Sequence, residues 1–194
     1  LAPAPVGVLW TSSGGELGLE PVEIQYLTSI LGDSRIAFIW FGDPSLGLVW
    51  DKGFYLPYPL AVDEALPIAS RKESILTLFC PGTAKKNVLN QILAVALLQR
   101  EIPDLTLHTN VPLDAAFCAS IRLKYVQHDW LPQPDYRALI SSARVNLAVS
   151  WAETCNYQAA EAVLWGTPSV GSATIPWMPP EWIARDPNSP QAIA

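Results

Sequence analysis

Charge is scarce in this sequence. Only 15% of its 194 residues are Asp, Glu, Lys or Arg, against about 25% in an average soluble domain. Lys and Arg number 12 and acids 18, for a net charge of −6. A nucleic-acid surface needs clustered Lys and Arg to neutralise phosphates, so no nucleic-acid partner is expected. Cysteine is nearly absent too. Cys80, Cys118 and Cys155 are odd in number and lack CxxC spacing, which suggests neither a disulfide framework nor a zinc site. They read as the reduced thiols of a cytoplasmic protein. Two histidines, His108 and His128, are too few for a His-rich centre, and no metal is expected. No apolar run reaches the ~18–20 residues of a membrane span. The longest, Ile92 to Leu98, is broken by Gln99 and Arg100. Methionine occurs once, as Met178, and the chain begins at Leu1. That reads as a trimmed or processed piece of a longer protein.

What is present argues for a packed core. Half of the residues are hydrophobic, and Trp (8) and Pro (18) are unusually frequent. This excludes disorder and fits one or two small domains. Val6 to Trp10 reads as a strand, Pro21 to about Leu31 as a helix with Ile24, Leu27 and Leu31 on one face, and Ile36 to Phe41 as a buried strand. Residues 43–70 carry Gly47, Gly53, Pro57, Pro59 and Pro67 without a sustained period, and read as an irregular crossing or linker. From Ser74 onward the pattern is regular. Strands are expected at Ile75–Phe79, Leu105–His108, Leu123–Val126, Val145–Val149 and Thr167–Val170. Helices are expected at Asn87–Arg100, Leu113–Ala119, Pro134–Ser142 and Tyr157–Trp165, the last capped by Gly166. Such alternation predicts an α/β fold, a Rossmann-like parallel sheet with helices on both faces. The expected division is a partial N-terminal segment (1–54), a linker (55–73) and a main domain (74–194). The last helix is only beginning where the chain stops. Function is therefore expected in the strand-to-helix loops.

The most informative stretch is Val149-Ser150-Trp151-Ala152-Glu153-Thr154-Cys155-Asn156-Tyr157-Gln158-Ala159-Ala160-Glu161-Ala162. A strand ends, a loop carries Glu153, and a helix opens near Asn156. Backbone N–H groups at Asn156, Tyr157 and Gln158 and the helix dipole favour an anion there. Glu161, one turn further on, suits two vicinal hydroxyls. A phosphate at the helix start and a diol at Glu161 describe a nucleotide. Two solvated helix acids are the plainer reading of the same spacing.

Glu-x7-Glu followed by Ala162-Val163-Leu164-Trp165-Gly166-Thr167-Pro168-Ser169-Val170 resembles the C-terminal domain of retaining GT-B glycosyltransferases, of the family 4 (group 1) type. His128-Asp129-Trp130-Leu131, Lys85-Lys86-Asn87 and Tyr58-Pro59-Leu60-Ala61-Val62-Asp63 resemble further stretches of that family. The resemblance spans roughly residues 55–190. It implies a GT-B C-terminal domain that transfers a sugar, with retention, from a nucleotide diphosphate (UDP-, GDP- or ADP-linked) to a saccharide, lipid or other acceptor, without metal or other cofactor. Lys86, supported by Lys85, would meet the donor diphosphate, Glu153 the sugar hydroxyls and Glu161 the ribose. Asn156 and Tyr157, with Gln158, would offer amides, and Leu131 would lie at the base. Peripheral membrane association of the full-length protein is a further partner class it leaves open. The fragment alone is expected to be inactive or weakly active.

The sequence departs from that pattern twice. Cys80 stands where the family often has an Arg beside the diphosphate. Cys155-Asn156 stands where Phe-Gly is common, and Asn tolerates unusual φ but adds bulk. Gly14-Gly15 resemble a glycine-rich loop facing the diphosphate, or form a plain turn. Trp130, Trp151 and Trp165 read as core, with stacking on a base or sugar as the alternative, and His108 as a surface residue. Three other readings stay open: a non-catalytic nucleotide-binding module, a GT-B-fold nucleotide-sugar epimerase, and an unrelated doubly wound domain.

Overall fold

A computed structural model describes residues 6–11, 17, 21–47, 49, 51–56 and 72–194. Gly14, Gly15 and the Tyr58–Asp63 stretch lie outside the described residues. Contacts divide the chain into two compact units. One draws on Leu1–Pro59, Ala152–Cys155 and Thr174–Trp177, the other on Leu60–Trp151, Asn156–Ala173 and Met178–Ala194.

The first unit is built on three strands, β1 (Val6–Trp10), β2 (Ile36–Phe41) and β3 (Gly53–Tyr55), with helix α1 (Pro21–Gly32) and a single helical turn, α2 (Pro44–Gly47). The strands pair in parallel in the order β1-β2-β3. Alternation along β2 sends Ile39 and Phe41 into a core with Trp10 and Leu27. Phe38 and Trp40 go to the opposite face, where they meet Phe54. The Phe38 ring lies so closely over Gly7 that any Cβ at that position would collide with it. Two expectations are corrected. Residues 43–70 are not all linker, because α2 and β3 fall within them, β3 completing the ladder of β2. Of the face read from the period, Leu27 is buried and Leu31 packs beside it with Ile30, but Ile24 is exposed.

The second unit follows the expected alternation. Its elements are β4 (Lys72–Leu78), a 3-10 turn (Ala84–Lys86), α3 (Val88–Glu101), β5 (Thr106–Thr109), α4 (Ala115–Ser120), β6 (Tyr125–Gln127), α5 (Gln133–Ser142), β7 (Ala143–Ala148), α6 (Tyr157–Leu164) and β8 (Ser169–Gly171), then a 3-10 turn (Pro180–Trp182) and α7 (Pro190–Ile193). All five strands are parallel, in the order β6-β5-β4-β7-β8. The chain starts in the middle of the sheet, moves outward through β5 and β6, then crosses back to β7. Strand order reverses between β4 and β7, which places the ligand crevice of such folds beyond their carboxyl ends.

The core explains why these segments hold. Leu76 and Leu78 of β4, Leu107 of β5 and Leu147 of β7 pack with Ile92, Val95 and Ala96 of α3. Each fully buried aliphatic side chain stabilises by about 1.5–3 kcal/mol. Helix α6 ends on Gly166 at φ 85°. There Gly166 N–H donates to Val163 O and Thr167 N–H to Ala162 O, the paired bonds of a left-handed C-terminal cap. No helix among the described residues is long and apolar enough to cross a membrane.

Candidate functional site

Two loops meet at the reversal point, and hydrogen bonds from buried side chains fix both. After β4 the chain passes through Lys85 and Lys86 into Asn87, which adopts left-handed φ 50° and opens α3. After β7 it passes through Trp151 to Asn156, also left-handed at φ 54°, which opens α6. The Lys85 carbonyl accepts from Trp151 N–H at 2.9 Å. Gln91, fully buried, donates to Lys86 O at 2.8 Å and accepts from Val149 N–H at 2.9 Å. Asn and Gly are the residues that enter the left-handed region most readily. Asn156 adds a cap, its Oδ1 accepting from Ala159 N–H at 3.0 Å.

A cavity of about 410 Å³ opens at this end of the sheet. Its walls come from the loop after β4 (Phe79, Cys80, Pro81), from Asn110 after β5, from the loop into α5 (Trp130, Leu131, Pro132, Gln133), from Tyr136, and from Gln158 and Glu161 of α6. Tyr136 packs edge-on against Phe79 and Trp165. Its hydroxyl donates to Glu161 Oε2 at 3.2 Å. Burial pushes the Glu161 carboxyl above its ordinary value, and the Tyr136 hydrogen bond pulls it part of the way back. Burial pushes the Tyr136 phenol up as well, reinforced by the neighbouring carboxylate.

Gln158 ties the wall to the sheet. Its Nε2 donates to Asn146 Oδ1 at 2.6 Å, and that oxygen also accepts from Thr77 Oγ1 at 3.1 Å. Asn146 Nδ2 in turn donates to Ser169 Oγ at 3.1 Å. Buried polar groups linked in this way are costly to break, so the network fixes α6 over β4, β7 and β8.

Of the residues expected at a site, the cavity gathers Glu161, Gln158 and Leu131. Lys85 and Lys86 are half-buried on the adjoining 3-10 turn, Asn156 is buried at the head of α6, and Tyr157 is exposed there. None of these four is among the described residues lining the cavity. Glu153 is buried and falls in Ala152–Cys155, which groups with the other unit. Sequence reasoning missed Tyr136, Phe79 and Gln133, and placed Asn110 only on a ligand-side loop. Only the position of Tyr136 in the first turn of α5 gave a hint, since that turn follows a strand at the ligand end of the sheet. Trp130, read as core, is 89% exposed on the cavity wall. Trp151 is exposed, with its indole donating to Asn188 Oδ1 at 3.0 Å, while Trp165 packs half-buried against Tyr136. His108, read as surface, is half-buried and lies with its Nδ1 2.9 Å from Nε2 of His128. Among the described residues there is no group of three or more His, Cys, Asp or Glu placed to hold a metal ion.

No protein-family model matches the chain, and no curated protein matches it in sequence. Solved structures do. The pneumococcal O-GlcNAc transferase GtfA, in complex with UDP and GlcNAc, superposes with TM-score 0.63 at 17% identity over 78% of this chain and 33% of that one. A point mutant of S. aureus TarM, in complex with Fondaparinux, alpha-GlcNAc-glycerol and UDP, gives TM-score 0.75 at 13% identity over 93% of this chain and 39% of that one. The fold is that of a GT-B glycosyltransferase domain. A UDP-forming alpha,alpha-trehalose-phosphate synthase from Burkholderia vietnamiensis is similar in the same way, with TM-score 0.65 at 12% identity over 97% and 59% of the two chains. The present chain spans between 33% and 59% of the length of these three proteins. At such identities the likeness is one of fold, and the GT-B domain's chemistry rests on its own residues.

Proposed function

We propose that this chain binds a nucleoside diphosphate sugar and supplies the donor-binding domain of a retaining glycosyltransferase. One observation carries the reading. A carboxylate, Glu161, is held by a tyrosine hydroxyl in the wall of an apolar cavity, at the carboxyl end of a sheet whose order reverses beside it. A fixed, partly desolvated carboxylate accepts hydrogen bonds from a vicinal diol, and the ribose of a nucleotide presents one.

The remaining roles follow the resemblance. Lys86, with Lys85 beside it, meets the diphosphate. A cation there offsets charge that develops on the leaving nucleoside diphosphate as the glycosidic bond breaks. The start of α6 at Asn156, Tyr157 and Gln158 favours phosphate. Leu131 borders the base and Glu153 binds sugar hydroxyls. GtfA and TarM were each solved with UDP, which supports UDP as the first nucleotide to try and a UDP-linked sugar as the first donor. The division at 55–73, the family 4 assignment and the acceptor class belong to the same proposal.

A calorimetric or thermal-shift panel of UDP, GDP, ADP and their sugars tests it. At least one nucleotide should raise the melting temperature of the wild type, and Glu161→Ala should lose that rise. No stabilisation by any of them overturns the reading. A second reading is favoured by Cys80, a neutral wall residue where the family often has Arg. On that reading the domain binds nucleotide without transferring sugar, and the full-length protein shows binding but no turnover.

A further inference from the structure

We propose that a cationic cavity at the amino ends of β5 and β6 binds a small phosphate monoester, at the end of the sheet opposite to the candidate site. The proposal goes beyond the nucleotide reading and does not depend on it. The cavity has a volume of about 680 Å³ and takes its charge from Arg100, Arg122 and Lys124. These are three of the 12 Lys and Arg in a chain of net charge −6. No acid is among the described residues that line it, and the neighbouring Glu101 and Asp104 lie outside its wall. Arg100 belongs to the last turn of α3, while Arg122 and Lys124 lie between α4 and β6. Among the described residues neither Arg100 nor Arg122 is ion-paired to an acid. A cleft lined by one sign of charge concentrates ions of the other.

The backbone of Arg122 adds a second observation. It sits at φ 59°, and the other non-glycine residues at positive φ among those described are Asn87 and Asn156. Arg122 N–H donates to Ala119 O at 3.1 Å and Leu123 N–H to Cys118 O at 2.9 Å, the paired bonds of a left-handed cap on α4. Glycine is the usual residue at such a cap, because a Cβ is unfavourable there. A helix C-terminus attracts a cation, and Lys124, two residues on, supplies one. The helix end therefore does not account for an arginine on the strained residue itself, where its side chain lines the cavity with Arg100.

The wall behind is tied down. Gln99 is buried, donates to Leu105 O at 3.2 Å and Lys124 O at 2.8 Å, and accepts from Lys124 N–H at 2.9 Å. The Lys124 ammonium donates to Pro103 O at 2.8 Å, which leaves two of its three N–H groups for a ligand. Two guanidinium groups and an ammonium suit the double charge and the terminal oxygens of a phosphate monoester, which guanidinium forks meet in pairs. The volume lies within the range of small-molecule sites, about 300–1,000 Å³, so a short organic body fits beside the phosphate.

The test is an amide NMR titration of the wild type with glycerol 3-phosphate, with glycerol as the uncharged control. Shifts should cluster in residues 99–104 and 119–125 and saturate with a dissociation constant at or below about 1 mM. Glycerol should move none of them. Arg122→Gly keeps the left-handed turn, so it should fold and melt at or above the wild-type temperature. Arg122→Gly and Arg100→Gln should each weaken the ester by roughly tenfold, the loss of one charge-assisted contact. No saturation in the wild type overturns the proposal, as does unchanged affinity in both variants. A lower melting temperature for Arg122→Gly would make the arginine a structural part of the cap and also overturn it. Shifts confined to residues 85–87 and 156–158 would put the anion at the candidate site instead. Binding to phosphatidylcholine vesicles that contain phosphatidic acid, without any response to the soluble ester, would assign the patch to a membrane surface, and the small-solute proposal would fail.

Discussion

Tyr136 and Glu161 stand 25 residues apart in sequence and share one hydrogen bond of 3.2 Å across the cavity wall. The tyrosine comes from α5 and the glutamate from α6, so the bond joins two helices on the same side of the sheet-end crevice. It also orients the carboxylate. Tyr136→Phe keeps the ring contacts with Phe79 and Trp165 and removes only the hydroxyl. Glu161 then loses a donor that lowers its pKa, and its carboxyl rises further. Nucleotide affinity should fall by roughly tenfold, in keeping with about 1.5 kcal/mol for a hydrogen bond to a charged group. The loss should grow as the buffer is made more acidic, because a larger share of Glu161 is then protonated. Calorimetry of both proteins across acidic and neutral buffers reads this. A pH-independent loss would mean that the hydroxyl acts only through packing.

Glu161 should trade stability for binding. Its folded pKa is raised above the ordinary glutamate value, with burial as the main cause. A raised carboxyl stabilises the fold fully below the unfolded pKa, and that contribution is lost as pH rises through the folded one. At neutral pH the protein therefore carries the cost of a half-buried charge. Glu161→Gln removes it, and Tyr136 can still donate to the amide oxygen. The variant should melt at or above the wild-type temperature at neutral pH. The two curves should converge below the unfolded glutamate pKa of about 4.3. Its nucleotide affinity should nevertheless drop by about fivefold, since neutral acceptors contribute roughly 1 kcal/mol less than charged ones. Melting scans against pH, with and without nucleotide, decide both halves.

Much of this was legible in the sequence. The alternation of apolar runs and helical periods gave the five parallel strands, because fully buried strands and amphipathic helices leave different periods. Glu161 and Gln158 could be placed on the ligand side from their positions after a strand, and Leu131 through the family resemblance. The strand order could not be read, since alternation says that strands are parallel and not which neighbours which. Tyr136 reaches Glu161, and Phe79 reaches Tyr136, only through that order. Trp130 was read as core because indoles usually are, and burial is a property of the assembled loops. The third strand, Gly53–Tyr55, was hidden by its length of three residues among glycines and prolines.

Asn156 holds the turn into α6 in a left-handed conformation, φ 54° and ψ 76°, and caps the helix with its side chain. Two costs can be separated by substitution. Asn156→Gly keeps the backbone conformation and gives up the cap, a loss of about a few tenths of a kcal/mol. Asn156→Ala gives up the cap and keeps a Cβ in the left-handed region without the short polar side chain that lets Asn tolerate it, about 1–2 kcal/mol for each effect. Denaturant unfolding should rank wild type and Asn156→Gly close together and Asn156→Ala about 2–3 kcal/mol lower. Equal destabilisation by both would assign the whole effect to the cap.

The lysines of the 3-10 turn separate the two ends of the ligand. Lys86 is half-buried beside the left-handed Asn87, and its carbonyl is held by Gln91. The backbone there is fixed from behind, so Lys86→Ala should leave the turn in place. If the diphosphate lies at this turn and the nucleoside in the cavity, the substitution should act on one and not the other. UDP affinity should fall by roughly tenfold or more, since a charge-assisted contact contributes about 1.5–3 kcal/mol. Uridine, which has no phosphate, should bind the variant as it binds the wild type. The UDP difference should also shrink as salt is raised toward about 1 M, where the screening length falls to about 3 Å. Parallel titrations with UDP and uridine at two salt concentrations make the comparison. An equal loss for uridine would place Lys86 against the nucleoside, and the assignment of the phosphate to the loop after β4 would fail.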